Sequence, residues 1–381
     1  MTETERGPTM AEKVMIMSSV HIYNDSRILH KQAVSLARAG YDVELHALAD
    51  FGEKWIQGVK VVGLRPHRSK WERLVNGWRL YRRALSSGAD RFHFHDPELL
   101  PWGWLLKRKT RSSVIYDAHE DLPKQIHTKP WIPKPMRSPL SRLVHRVEKG
   151  LAKSLSAVVT ATESIARQFT DAGVRRVEVI KNYPLPMEVE PAGERDEVNR
   201  ILYVGGISYL RGYKEMIEMM DHLPKELEAE LHLIGPLQHI REEDRDEERL
   251  REKKVFLHGR IPFEEVKGWL SKGKVGLVCL HPIENYRESL PIKLFEYMAA
   301  GLPVVATDFP LWREIVTGSD CGLMTDPLNP EEMAEKVARI LQDPERREEM
   351  AEHGRRAHRE IYNWQVEEKK LLQLYQELSG E

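Results

Sequence analysis

Short apolar runs alternate with amphipathic stretches from Lys13 almost to the C-terminus. Lys13–Val20 (KVMIMSSV) is apolar on both faces and predicts a buried strand. Ser26–Gly40 places Ile28, Ala33, Leu36 and Ala37 at helical spacing, with Gly40 as the stop. Further strands are predicted at Tyr41–Ala47, Val59–Leu64, Arg91–Phe94, Ser113–Tyr116, Ala157–Ala161 and Val177–Ile180. Helices are predicted around Trp71–Leu85, Leu99–Lys107, Ser141–Leu155 and Ser164–Ala172. Pro123–Pro139 is rich in Pro and Lys and reads as an irregular loop. This alternation predicts a parallel sheet with helices on both faces.

Tyr183–Asn199 breaks all periodicity with Pro, Gly and charge and reads as a linker. A second alternating set follows, with strands at Arg200–Val204, Glu230–Ile234, Val255–His258, Val275–Leu280 and Pro303–Thr307. Its helices are expected at Tyr213–Met220, Phe263–Leu270 and Lys293–Ala299, and a last helix at Asn363–Leu378. The expected architecture is α/β: two Rossmann-like doubly wound domains facing a central cleft, the last helix returning to the first. Domain one spans 12–185 plus about 360–381, domain two spans 196–358, and 1–11 is a flexible tail.

The chain has 381 residues, enough for two cores. Its formal net charge of -1 offers no global reason to bind nucleic acid. The charge is uneven, because Lys60–Arg83 and Lys124–Lys153 are basic while Glu242–Glu252 is acidic. Cys279 and Cys321 form no CxxC pair and predict a reducing, cytoplasmic setting. No apolar run is long enough to span a bilayer. The basic, aromatic helix with Trp71, Trp78 and Tyr81 is a candidate for peripheral contact with an anionic membrane, at the inner face of the plasma membrane. An ordinary sheet-covering helix is the competing reading.

The most informative segment is Glu288–Gly301 (ESLPIKLFEYMAAG). Pro291 suits a helix's first turn, and Gly301 a left-handed stop. The first-turn amides near Ile292, Lys293 and Leu294 lack partners within such a helix and attract an anion, phosphate above all. Glu296, one turn in, is a candidate acceptor for sugar hydroxyls, and Glu288 precedes the turn. In open α/β sheets ligands bind beyond the carboxyl ends of strands. That rule singles out Arg27, Asp25, Asp96, His119, Gly206, Arg211, Gly235, Gly259 and Arg260. Asp25 has helix capping as its simpler role. His93, His95 and His119 match no compact ligand spacing, so no metal is expected. Asp244-Arg245-Asp246 imitates an Asp-x-Asp metal motif, but it sits in a charge run and reads as a solvated helix face.

Taken together, these pieces resemble family 4 of the retaining GT-B-fold glycosyltransferases (glycosyl transferases group 1). The Glu288-x7-Glu296 pair with Tyr297–Ala306 is similar to the family's main signature. Tyr203–Gly212 resembles its phosphate loop, and Tyr116–Glu120, His95–Leu100 and Ile180–Pro184 also fit. The resemblance implies a metal-independent, cofactor-free transfer from a nucleotide-diphosphate sugar to a glycan or lipid-linked acceptor, in cell-surface polysaccharide or glycoconjugate synthesis. It implies that Arg211 grips the departing diphosphate, Glu296 the ribose, and Glu288 and His119 the donor sugar.

Two departures stand out. Ser18–Arg27 has no Gly-Gly turn, and Gly206 stands where many members carry a phosphate-binding Arg. Arg27, Lys214 and Lys293 are the candidates to supply the missing cation. A hydrolysing epimerase, a small-molecule sugar synthase and an idle nucleotide-sugar-binding subunit are the alternatives. A dinucleotide dehydrogenase is disfavoured, because no G-x-G-x-x-G follows the first strand.

Overall fold

The computed structural model describes residues 11–67, 69–128, 132–187 and 198–379. Contacts divide the chain into two units, Met1–Asn182 with Glu367–Glu381, and Tyr183–Val366. The expected tail and most of the expected linker lie outside the described residues. The returning segment begins inside the last helix, Trp364–Leu378, rather than near 360.

Among the described residues the first unit holds eight strands: β1 (Lys13–Ile22), β2 (Asp42–Leu48), β3 (Glu53–Ile56), β4 (Val59–Leu64), β5 (Arg91–Phe94), β6 (Ser113–Ala118), β7 (Ala157–Thr160) and β8 (Val177–Val179). Their order is β3-β4-β2-β1-β5-β6-β7-β8. All neighbours are parallel except the β3–β4 hairpin. Val14, Met15 and Ile16 of β1 are fully buried, as a central parallel strand covered on both faces requires. Arg91 is buried at the start of β5. It donates to Tyr375 O and pairs with Glu12, which pins the C-terminal segment onto this sheet.

The second unit holds β9 (Arg200–Val204), β10 (Glu230–Ile234), β11 (Val255–Gly259), β12 (Val275–Val278), β13 (Val304–Thr307) and β14 (Gly322–Thr325). The order β11-β10-β9-β12-β13-β14 is wholly parallel. One face packs Met216, Met219, Met333 and Val337 against the sheet, and the other packs Leu294, Phe295, Met298 and Trp312.

Where Pro123–Pro139 is described, helix replaces the expected irregular loop over most of it. A helix runs over Leu122–Thr128, and another begins at Lys134 and continues to Ala152 with Pro139 inside it. Pro123 and Pro135 sit in first turns, where a missing N–H costs nothing. The strand β14 and the helices Pro310–Gly318, Pro330–Gln342 and Pro344–Glu360 are further elements absent from the sequence reading.

Candidate active site

Each unit gathers polar side chains at the carboxyl ends of its central strands, but the two clusters are in different states. In the first unit Asp117, at the end of β6, is fully buried. Arg27 Nε donates to its Oδ2 at 3.1 Å, Arg27 Nη2 approaches Oδ2 at 2.9 Å, and Gln32 Nε2 donates at 2.6 Å. Arg27 Nη1 donates to Ile180 O at 2.9 Å. Arg27 and Gln32 both reach Asp117 because Ser26–Ala33 winds as a π-helix. In an α-helix residues five apart would point about 140° away from each other. Burial alone would push the Asp117 carboxyl upward, yet the charge of Arg27 holds it well below the usual carboxylate range.

Three imidazoles surround the same carboxylate. His119 Nδ1 lies 3.4 Å from Asp117 Oδ1, His95 Nδ1 3.7 Å from Oδ2, and His93 Nε2 4.0 Å from Oδ2. His93 is fully buried, and desolvation lowers its pKa from 6.5 to about 4. His95 is pushed down by the same cause. Ligand atoms of His93, His95 and Asp117 fall within 4.8 Å of one another, close enough to hold a metal. Against that, Asp117 is already engaged by a guanidinium and an amide, and the positive Arg27 would repel a dication at that point.

Asp96 organises the irregular last residues of β1, where the register with β2 shifts between Met17 and Ile22. Its Oδ2 accepts Ser18 Oγ at 2.8 Å, Ser19 N at 2.5 Å and Val20 N at 3.2 Å, while Oδ1 meets His21 Nδ1 at 2.9 Å. The amides of Ser19 and Val20 at the end of β1 are thus given to an internal carboxylate rather than left for a phosphate. Burial opposes its ionisation, but these bonds, led by His21, lower the Asp96 pKa to about 2. The Asp96 hydrogen bond raises the His21 pKa. The His21 ring lies 5.2 Å from that of His119. Asp25 caps its helix, accepting Arg27 N at 2.8 Å and Ile28 N at 3.0 Å. Arg27 and Asp96 are therefore internal supports, which corrects their expected place on the phosphate or acceptor side.

In the second unit β9 ends in Gly205-Gly206, followed by a single turn, Tyr209–Arg211, and the helix Tyr213–His222. Gly205 N donates to Ile234 O at 2.8 Å. Gly235 has φ 144°, and a Cβ there would lie 2.0 Å from Gly205 O, so only glycine fits this crossing. Gly206 leaves room for Arg211, whose Nη1 donates to Gly206 O at 3.1 Å and would meet a Gly206 Cβ at 2.8 Å. Hydrogen bonds to the Tyr286 and Tyr203 hydroxyls outweigh burial and keep Arg211 firmly protonated.

The helix Ile292–Ala300 starts at Pro291 and ends at left-handed Gly301, with no side chain capping its N-terminus. Leu294 N donates to Pro291 O at 3.0 Å, so the tight first turn uses this amide internally, a correction to its expected availability. The Lys293 stem is partly exposed, but its Nζ is covered, 3.3 Å from the Tyr203 ring centroid, with no hydrogen-bond acceptor among the described residues. The same Nζ would stand 3.2 Å from a Cβ on Gly205. Desolvation and then the charge of Arg211 push the Lys293 pKa well down. Lys214 is half exposed, lies 3.8 Å from Asp244 and sits over the Tyr209 ring. Of the three candidates for the missing cation, Lys293 alone has a covered ammonium with no acceptor.

Glu296 lies one turn into this helix, half-buried, and its charge favours protonated Lys293. Glu288 is exposed at the end of a short helix, Glu284–Arg287. Trp312 Nε1 holds the next residue through Ser289 O at 2.7 Å. Gly259 adopts φ 64° at the end of β11, beside exposed Arg260. Asp244 bonds the Tyr209 hydroxyl, and Asp246 caps the helix Glu247–Glu252, so this acidic run is structural. His21, Tyr203, Tyr286 and Trp312 escaped the sequence reading. Tyr203 alone carried a signal, as the aromatic residue inside the phosphate-loop segment.

Two family models cover most of the chain. One described as glycosyl transferases group 1 matches residues 188–357. One described as a glycosyl transferase 4-like domain matches residues 26–182. An uncharacterised glycosyltransferase of Methanocaldococcus jannaschii is 24% identical over 90% of this chain and 91% of its own. Among solved structures, sucrose-phosphate synthase from Thermosynechococcus elongatus aligns with TM-score 0.72 and 19% identity, over 97% of this chain and 99% of its own. Anabaena HepE in complex with UDP-glucose aligns with TM-score 0.69 and 15% identity, over 97% and 100%.

Proposed function

Because this chain belongs to the group 1 glycosyltransferases of the GT-B fold, and so uses a nucleotide-sugar donor, we propose that Arg211 and Lys293 together hold the donor's diphosphate. The observation that carries this reading is the covered Lys293 ammonium, which lacks an acceptor and faces Gly205 beside a second cation. Two adjacent cations repel each other, and a diphosphate placed across them turns that repulsion into two charge-assisted contacts. Arg211 supplies a planar fork and Lys293 a point charge. Lys293 thereby replaces the cation missing at Gly206.

The reaction transfers a sugar from a nucleotide diphosphate to a glycan or lipid-linked acceptor with retention of anomeric configuration. The two cations stabilise charge as it builds on the departing diphosphate. Same-face attack lets a phosphate oxygen take the acceptor's proton, so no strong protein base is required. Glu296 takes the ribose, Glu288 the hydroxyls of the donor sugar, and His119 serves the reacting sugar, its Nδ1 side held toward Asp117. Gly235, Gly259 and Arg260 lie at strand ends suited to the base. The UDP-glucose bound by HepE supports a nucleotide-sugar ligand here.

Transfer is metal-independent in this reading, because the diphosphate's charge is met by protein cations and the histidine–aspartate cluster is neutralised by Arg27. A polysaccharide or glycoconjugate acceptor on a lipid carrier would place the enzyme at the inner face of the plasma membrane. A donor panel with the anomeric proton of the product read by NMR tests the reading. Turnover in EDTA with an unchanged anomer supports it. Inversion, or an absolute metal requirement, refutes it.

A further inference from the structure

The helices Lys70–Ser86, Leu100–Lys109 and Lys134–Ala152 form one layer on the first unit, the middle one touching both others. Their inner faces bury Leu80, Ala84, Leu106 and Ala152 in a single core. Their outer faces are unusual for a water-facing surface. On Lys134–Ala152, Met136, Leu143 and Val147 stand on one line by their spacing of seven and four, and each is more than half exposed. On Lys70–Ser86, Leu74, Trp78 and Leu85 make a second exposed line.

Cations flank both lines. Arg142 and Arg146 run beside Leu143 and Val147, and all four are exposed. Arg82 lies over the Trp78 ring at 5.4 Å, and on the middle helix Arg108 lies over the Trp104 ring at 4.1 Å. The three helices carry thirteen Lys and Arg against two Glu, in a chain whose formal net charge is -1. One of those acids, Glu148, is buried and bonded to Lys149 and the Tyr116 hydroxyl. Glu72, at an N-terminus, is the only outward carboxylate on the three helices among the described residues.

We propose that this three-helix face is a docking surface for an anionic lipid bilayer. Apolar lines bordered by arginines, with tryptophans beneath the guanidinium groups, match an interface where side chains enter the acyl boundary and cations meet headgroup phosphates. The charge complementarity selects anionic over zwitterionic lipid. The assignment extends the sequence expectation, which rested on Trp71–Leu85 alone, to the layer as a whole. It does not depend on the donor site.

Flotation of the full chain with vesicles of phosphatidylcholine, with and without phosphatidylglycerol, tests it. Binding is expected only where phosphatidylglycerol is present, and high salt should weaken it. Both Arg142→Glu/Arg146→Glu and Leu143→Ser/Val147→Ser should reduce partition by about tenfold or more while leaving the thermal midpoint in place. If either pair unfolds the chain, Leu143→Cys labelled with acrylodan provides the readout, because both native cysteines are buried. A blue shift on anionic vesicles is then expected. Equal binding to both lipid compositions, no response to either pair of substitutions, an unshifted acrylodan spectrum, or a salt-insensitive dimer dissolved by the same substitutions would overturn the proposal.

Discussion

The two polar clusters answer the question of spare charge in opposite ways. In the first unit every hydrogen-bonding arm of Arg27 is directed to Asp117 or Ile180 O, and Asp96, after β5, collects backbone amides from the end of β1. In the second unit the Lys293 ammonium is covered and has no acceptor among the described residues. Both cations follow a plausible strand-end or helix-start pattern in sequence. Only the pairing of each separates them: Arg27 is a brace, and Lys293 is a covered cation with no acceptor among the described residues, the one proposed above to bind.

The largest effect should come from splitting the brace. Arg27→Ala leaves Asp117 buried and uncompensated, and should cost roughly 3–5 kcal/mol of stability by chemical denaturation. Loss of donor affinity with unchanged stability would reverse the assignment. Lys293→Met should act the other way. Removing a covered, acceptorless charge should leave the fold as stable or more so, while kcat/KM falls by about 10²-fold or more, in line with losing one group that stabilises developing charge.

Acidification should sharpen the same contrast. His93 is neutral in the folded state, with its pKa lowered from 6.5 to about 4. Between those values the unfolded chain binds a proton that the folded chain does not, so stability falls as pH falls. The full loss for this group is about 3 kcal/mol, and His93→Gln should flatten the slope in pH-dependent denaturation. His95 shifts in the same direction and adds to the effect, whereas His21, raised by Asp96, opposes it. The smallest change expected is that of Tyr286→Phe, which removes one hydroxyl from Arg211 and should weaken donor binding by about 1 kcal/mol in titration.

The central strands were legible because buried parallel strands such as Val14–Met17 and Val304–Thr307 read as unbroken apolar runs. The helix Ile292–Ala300 was legible from its Pro start and Gly stop. Pro344–Glu360 was not, because its buried face uses Ala351, Gly354 and Ala357, residues too small to print a hydrophobic period on a highly charged segment. Most of Lys134–Ala152 was read as the helix Ser141–Leu155, but its first turns were obscured by Pro135 and Pro139 and by Met136 facing outward. For the site, sequence located Arg211, Lys293 and Arg27 but could not rank them. Rank depends on which carboxylate each meets across the fold, and Asp117 stands ninety residues from Arg27.

Isothermal titration of the whole protein and of Lys293→Met with UDP, GDP and ADP, repeated in buffers of different ionisation enthalpy, tests the diphosphate cradle most directly. The depressed Lys293 pKa should rise when a diphosphate binds, so between its free and bound values the wild type should take up protons and lose affinity as pH increases. Lys293→Met should bind the preferred nucleotide at least about tenfold more weakly, without that uptake. Equal affinity and equal proton uptake in the two proteins would contradict the account.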